Sequence, residues 1–189
     1  MIALSDHQPL TPEEYLALEQ TSEIKHEYID GEIYAMAGGT GNHNLISSNL
    51  LILLKNGLRA AGCRTYISDM KVNVGDRRRF FYPDLVVTCD QRDEPQLSYI
   101  QFPTVIVEVL SPSTESFDRG RKFEFYREIP SLQEYLLINV DQYLVECFRR
   151  QKADIWLLQT YKGLEAIAHI EALNLNAPLQ EIYGDVPLE

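Results

Sequence analysis

Positive charge is in short supply in this chain: 17 lysines and arginines stand against 28 aspartates and glutamates, a formal net charge of −11. That balance argues against a protein whose whole surface grips nucleic acid, because such binding depends on neutralising phosphates. Cysteine is scarcer still. Cys63, Cys89 and Cys147 are odd in number and lack the spacing of a metal site, so they read as reduced, mostly buried residues of a cytoplasmic protein. No apolar run approaches the roughly 18 residues that a membrane span requires. The start, MIALSDHQPLTPEE, has neither the basic beginning nor the continuous apolar stretch of a secretory signal. Low-complexity tracts and internal repeats are also missing, which excludes a disordered or solenoid chain.

What is present describes an ordinary globular protein. With 45% hydrophobic residues over 189 positions, the chain is long enough for one domain that buries about 70% of its unfolded surface. Residues 1–189 are expected to form that single domain, with a core at about 10–150 and additional strands at 151–170. Positive charge gathers locally: Lys71, Arg77, Arg78 and Arg79 face only Asp76 between Lys71 and Phe80, either a basic lip or a solvated hairpin tip.

The pattern predicts strands framed by helices. Thr11-Pro12-Glu13-Glu14 is a helix start, with a hydroxyl cap, proline in the first turn and acids beside the positive end of the helix dipole. HEYIDGEIYAM reads as a hairpin around Asp30-Gly31. A long helix is expected at about 42–61, stopped by Gly62. Arg64–Val74 reads as one strand, and Asp84–Cys89 and Thr104–Leu110 as strands covered on both faces. A helix from about Glu115 to Glu128 ends at Ile129-Pro130. Glu134–Val140 pairs with Tyr143–Arg150, and Ile155–Tyr161 and Ala166–Ile170 follow as strands joined by a turn containing Gly163. The fold class is α/β, with a mixed β-sheet flanked by helices.

Two acids stand out in this frame. Asp84 follows Pro83 at the start of an apolar strand, and Glu108 lies inside the run VIVEVL. A buried unpaired carboxylate is costly, so each needs a partner. If the two strands are antiparallel neighbours, the start of one faces the end of the other and the acids cluster at one end of the sheet. Clustered carboxylates with oxygen ligands and no His/Cys group favour Mg²⁺, or Mn²⁺, over zinc. Asp118, Lys122 and Tyr126 follow at i, i+4 and i+8, so they share a helix face, and the connection Ser111-Pro112-Ser113-Thr114 carries hydroxyls able to cap that helix or to meet an anion.

The ordered set YPDLVV, VIVEVLSPST and DRGRKFEFY resembles the Uma-type family of restriction-endonuclease-like proteins, within the PD-(D/E)XK nuclease superfamily. HEYIDGEIYAMAGGTGNHN upstream and PSLQEYLLIN downstream extend the resemblance over about residues 10–150. It implies a restriction-endonuclease-like core and a metal-dependent nuclease. Asp84 is similar to the metal-bridging aspartate, Glu108 to the second acidic ligand, Glu27 to the family's upstream acid, and His43 to the histidine opening the long helix. The superfamily usually carries its lysine two residues after the second acid, where this chain has Leu110; the Uma-type lysine comes from the following helix and matches Lys122. Leu136 and Asn139 stand where the family often shows Trp and Asp.

These readings converge on a Mg²⁺-dependent endonuclease acting on DNA. Asp84, Glu108 and Lys122 would be catalytic, Asp84, Glu108 and Glu27 would hold metal, and His43, Ser111 and Tyr126 would contact substrate. A homodimer is expected by analogy, and the lack of long apolar runs leaves no membrane partner expected. The competing reading is a catalytically silent, nuclease-like nucleic-acid-binding or scaffolding protein, which the acidic balance favours.

Overall fold

The computed structural model describes residues 9–36, 38–93 and 98–188, so the expectation for the first eight residues lies outside the described chain. Helix α1 (Pro12–Glu19) starts as its sequence predicts: Thr11 caps Glu14 N–H, and the Glu14 carboxylate accepts from Thr11 N–H in return. Strands β1 (His26–Ile29) and β2 (Glu32–Ala35) form the expected hairpin, with Asp30 and Gly31 both at positive φ. Helix α2 (Gly41–Gly57) is capped by Thr40 and ends earlier than Gly62. The reason is tertiary. Leu58 turns into the core, and Leu175 packs over Gly57 so closely that a side chain there would collide with it.

The predicted strand Arg64–Val74 is two strands: β3 (Arg64–Ile67) and β4 (Lys71–Val74) lie in different sheets. Ser68 takes a left-handed conformation (φ 50°) and donates its N–H to the Asp84 carbonyl, which breaks the strand where the sequence shows no glycine or proline. Strands β5 (Arg79–Phe81), β6 (Leu85–Thr88), β7 (Tyr99–Ile100) and β8 (Val105–Leu110) follow. The predicted helix after β8 is a short α3 (Glu115–Phe117), a π-helical turn (Asp118–Lys122) and α4 (Phe123–Tyr126). Strands β9 (Glu134–Asn139), β10 (Leu144–Arg150) and β11 (Trp156–Lys162) are as expected, but β12 (Ile167–Ile170) does not join them. It pairs instead with β13 (Leu175–Pro178), ahead of α5 (Leu179–Ile182).

A six-stranded sheet, β11-β10-β9-β8-β6-β3, forms the centre, with β8 and β9 parallel and the other pairs antiparallel. Along β8, Val105, Val107 and Val109 pack under α2 and the C-terminal hairpin. Ile106 and Leu110 point the other way, against α4, Phe81 and the second, five-stranded sheet β2-β1-β5-β4-β7. Helix α1 covers the far side of that second sheet through Tyr15, Tyr28 and Phe80. Glu108 therefore belongs by alternation to the face between the sheets. None of the described helices is long and apolar enough to cross a membrane.

The structure overturns one expectation outright. Cys63 and Cys89 are joined in a disulfide, and only Cys147 is free and buried. The register of β3 and β6 sets Arg64 opposite Thr88, so the next pair outward is Cys63 and Cys89, with Cα atoms 4.1 Å apart. A separation of 26 residues along the chain hid this neighbourhood.

Candidate active site

Three elements deliver the site. β5 and β6 meet at Tyr82-Pro83-Asp84, β8 supplies Glu108, and the π-helical turn supplies Asp118 and Lys122. The register of β6 against β8 pairs Leu85 with Val107, which carries Asp84 to the level of Glu108. Accordingly Asp84 Oδ2 accepts the backbone N–H of Val109 at 2.7 Å and lies 3.1 Å from His43 Nε2, at the first turn of α2. The antiparallel neighbour relation expected from the sequence is thus present, and it places the two acids at one end of the sheet.

Lys122 occupies the middle of the cluster. Its Nζ lies 2.8 Å from Glu108 Oε1, 3.0 Å from Glu27 Oε1 and 3.6 Å from Asp118 Oδ1. Tyr126, one helical step further, donates its hydroxyl to Glu108 Oε1 at 3.1 Å. The wider π-helical turn brings Asp118 and Lys122 onto one buried face, as such turns often do at functional sites. Leu110, where the superfamily carries its lysine, is a buried core residue packed beyond the acid. The ammonium therefore reaches Glu108 from the helix. Glu27 also accepts Tyr82 N–H at 3.4 Å, which ties it to the segment preceding Asp84.

The ammonium and the three acids around it are sheltered: Glu27, Glu108, Asp118 and Lys122 are each at most 5% exposed. Burial drives the Glu108 carboxyl well above the usual range; Lys122 opposes that rise while Asp118 and Asp84 add to it. Burial likewise raises Asp118, again against Lys122. Burial works against the Lys122 ammonium too, but Glu108, Glu27 and Asp118 more than offset it and hold the lysine firmly charged. One ammonium cannot neutralise three carboxylates, so the cluster holds either a proton or room for more positive charge.

His43 is raised above the ordinary 6.5 by its hydrogen bond to Asp84, with burial opposing. The sign follows. The imidazolium–carboxylate contact stabilises fully below the unfolded histidine pKa and fades as pH rises through the elevated folded value. Replacing His43 with Gln should therefore cost about 1.5 kcal/mol at mildly acidic pH and little at alkaline pH, read by chemical denaturation without added metal.

The structure thus brings Asp84, Glu108, Lys122, Glu27, His43 and Tyr126 together. Ser111 sits in the connection after β8, where its hydroxyl meets those of Ser113 and Thr114, each at 3.0 Å. Asp118 was assigned no site role from the sequence. Its signal was the i, i+4 spacing to Lys122, which on a helix usually marks a solvated ion pair of little worth. The basic lip fails as a free surface: Arg77 pairs with Glu13, Arg78 with Asp30, and Arg79 with Asp30 and Glu128. Among the described residues, no group of three or more His, Cys, Asp or Glu side chains stands ready to hold a metal, and the acids of the cluster are gathered around Lys122.

A mixed sheet with a buried acid–lysine cluster at one end defines a restriction-endonuclease-like α/β protein. The fold resembles that of the crystal structure of a "putative nuclease belonging to DUF820" from Anabaena variabilis, with a TM-score of 0.75 over 93% of this chain and 98% of that one, at 19% identity. The chain belongs to the Uma2 family, described as "Putative restriction endonuclease", which matches residues 12–180. It is 39% identical over 186 residues to the Synechocystis sp. protein named "Uncharacterized protein slr1290", covering 97% of both chains. A second Synechocystis sp. protein, "Uncharacterized protein sll1609", is 37% identical over 169 residues, 88% of this chain and 95% of that one.

Proposed function

We propose that this protein is an endonuclease that hydrolyses DNA phosphodiester bonds with the help of a divalent cation, Mg²⁺ or in its place Mn²⁺. One observation supports this above the rest: Lys122 Nζ stands 2.8 Å from Glu108, while Asp84 accepts the N–H of the very next residue, Val109. Carboxylates at the margin of a sheet, with a cation on a facing helix, are what phosphoryl chemistry requires and what a binding scaffold does not.

The donor set fits a hard cation. Asp84 and Glu108 offer carboxylate oxygens, no thiolate is among them, and the buried acids outnumber the lysine. When bound, such an ion supplies Lewis acidity toward a phosphoryl oxygen and lowers the pKa of water. Lys122 stabilises negative charge developing on the phosphate, or orients the attacking water. Glu27 holds that ammonium in place; to act as a ligand as well, it would have to release Lys122. His43, raised by its hydrogen bond to Asp84, would meet the phosphate, with the Tyr126 hydroxyl held on Glu108 beside it; Ser111, in the loop after β8, would contact the substrate from outside the acid–lysine cluster.

The test is supercoiled plasmid incubated with protein and Mg²⁺ or Mn²⁺. Nicking should appear only with metal and fall by about 10²–10⁴ in Asp84→Ala and in Glu108→Ala. Cutting that survives either substitution would mean another nuclease in the preparation and end the proposal. The silent binding or scaffolding reading keeps one observation in its favour: the −11 charge is not relieved by Arg77–Arg79, each of which is already paired with an acid. On that reading the wild-type protein nicks nothing under any metal condition.

A further inference from the structure

The six-stranded sheet ends at β11 in an edge that is apolar and open. Among the described residues, β11 pairs with β10 on one side only. Five of the nine exposed large apolar side chains among the described residues fall between Ile155 and Ile167. Within them Ile155, Leu157 and Leu158 are 64%, 52% and 46% exposed. Proteins normally guard an edge strand with proline, an inward charge, a bulge or a short length. β11 has seven residues, as many as any strand of the fold, with a single charge at its C-terminal end, Lys162. The opposite edge, β3, has four residues, none of them in the exposed class.

We propose that this edge pairs with the same edge of a second copy of the chain, β11 against β11, so that the central sheet continues across a two-fold axis. The strand is self-complementary in one register. A two-fold normal to the sheet keeps every side chain on its own face, so each residue must sit opposite one of equal parity. Centring the pair on Leu158 sets Leu158 against its own copy, Leu157 against Gln159, Ile155 against Tyr161, and Trp156 against Thr160. It also brings the Lys162 end of each strand toward the entry of its partner, where Asp154 lies in the 3-10 turn Lys152–Asp154 that precedes β11. Asp154 is held by Arg150 at 2.8 Å, yet its side chain is 88% exposed and free to meet a second cation. Centring on Leu157 would carry Lys162 past Asp154 toward Lys152 in the same turn, and centring on Gln159 would leave Lys162 opposite Trp156, short of the turn. The charged ends therefore favour the Leu158 register, which packs Leu158 of one copy against Leu158 of the other, with Leu157 on the opposite face beside Gln159.

The partner is another copy because the strand meets its own chemistry. A strand with an acid before it and a lysine at its end, antiparallel to itself, satisfies both charges at once. The edge is three strands from β8 in the sheet, so pairing there neither completes nor blocks the acid–lysine cluster.

Sedimentation of the full chain at tens of micromolar should give about twice the 21.7 kDa protomer mass, and Leu158→Asp should shift the population to monomer. In the proposed register, opposed Cβ atoms lie about 4.5–5.5 Å apart. Leu158→Cys should therefore form an interchain disulfide under mild oxidation, whereas Leu157→Cys, opposite Gln159, should not. Reversing Lys162 to Asp should weaken the dimer, and adding Asp154→Lys should restore it. A wild-type chain that sediments as a monomer, a Leu158→Asp variant that remains dimeric, or cross-linking through Leu157→Cys in preference to Leu158→Cys would each overturn the proposal. These readouts need no nuclease activity, so they stand apart from the test of the active site.

Discussion

Lys122→Met is expected to cost the ion-free protein about 3–5 kcal/mol, the usual penalty for removing one partner of a buried ion cluster. The substitution keeps the length and apolar stem of the side chain but leaves Glu27, Glu108 and Asp118 without their common cation. The loss should grow with pH. Burial already raises Glu108 and Asp118, so at acidic pH these carboxyls accept protons and the missing ammonium matters less. At alkaline pH they must be buried as anions. Chemical denaturation across that range, without metal, measures the slope; an equal loss at every pH would show that Lys122 acts through packing alone. Added Mg²⁺ should recover part of the stability of Lys122→Met, because it returns positive charge to the same acids.

Arg149→Met should be about as damaging, and for a reason unrelated to catalysis. Glu134 is fully buried in β9 and lies 2.6 Å from Arg149 Nε. The same guanidinium reaches Glu171 and the carbonyl of His169, while Glu134 accepts the backbone N–H groups of Glu171 and Ala172. This pair is the polar fastening between the central sheet and the β12–β13 hairpin. Removing the arginine strands a buried carboxylate, for a loss of about 3–5 kcal/mol and, at this chain length, roughly 10 °C in melting temperature. Adding Glu134→Leu should recover only part of it, because the stranded charge is removed but the N–H groups of Glu171 and Ala172 lose their acceptor. A double variant no more stable than Arg149→Met would show that the loss does not come from the stranded carboxylate.

The legibility of this protein varied with the range of the interaction involved. Thr11-Pro12-Glu13-Glu14 and Asp30-Gly31 specify their helix start and turn through contacts within four residues, and both are as the sequence predicts. Asp84 and Glu108 were legible for a different reason: a lone acid beside or within an aliphatic strand contradicts its surroundings. The break at Ser68 was not legible, because its N–H finds its partner at Asp84, a remote residue. The same is true of Cys63 and Cys89, joined by sheet register, and of the early end of α2, enforced by Leu175. Asp118 gave only a spacing. Whether that spacing marks a solvated pair or a buried cluster depends on what covers the helix face.

Local chemistry was enough to assign the α/β alternation, the ordered acids and the lysine-bearing helix, since propensity, capping and turn geometry act between near neighbours along the chain. Assembly settled the rest. The split of one apparent strand between two sheets, the disulfide, the placing of Lys122 among three carboxylates and the pairing off of Arg77–Arg79 all depend on residues far apart in sequence. Burial raises the cost of leaving charges and polar groups without partners, and packing decides which distant groups meet to satisfy them.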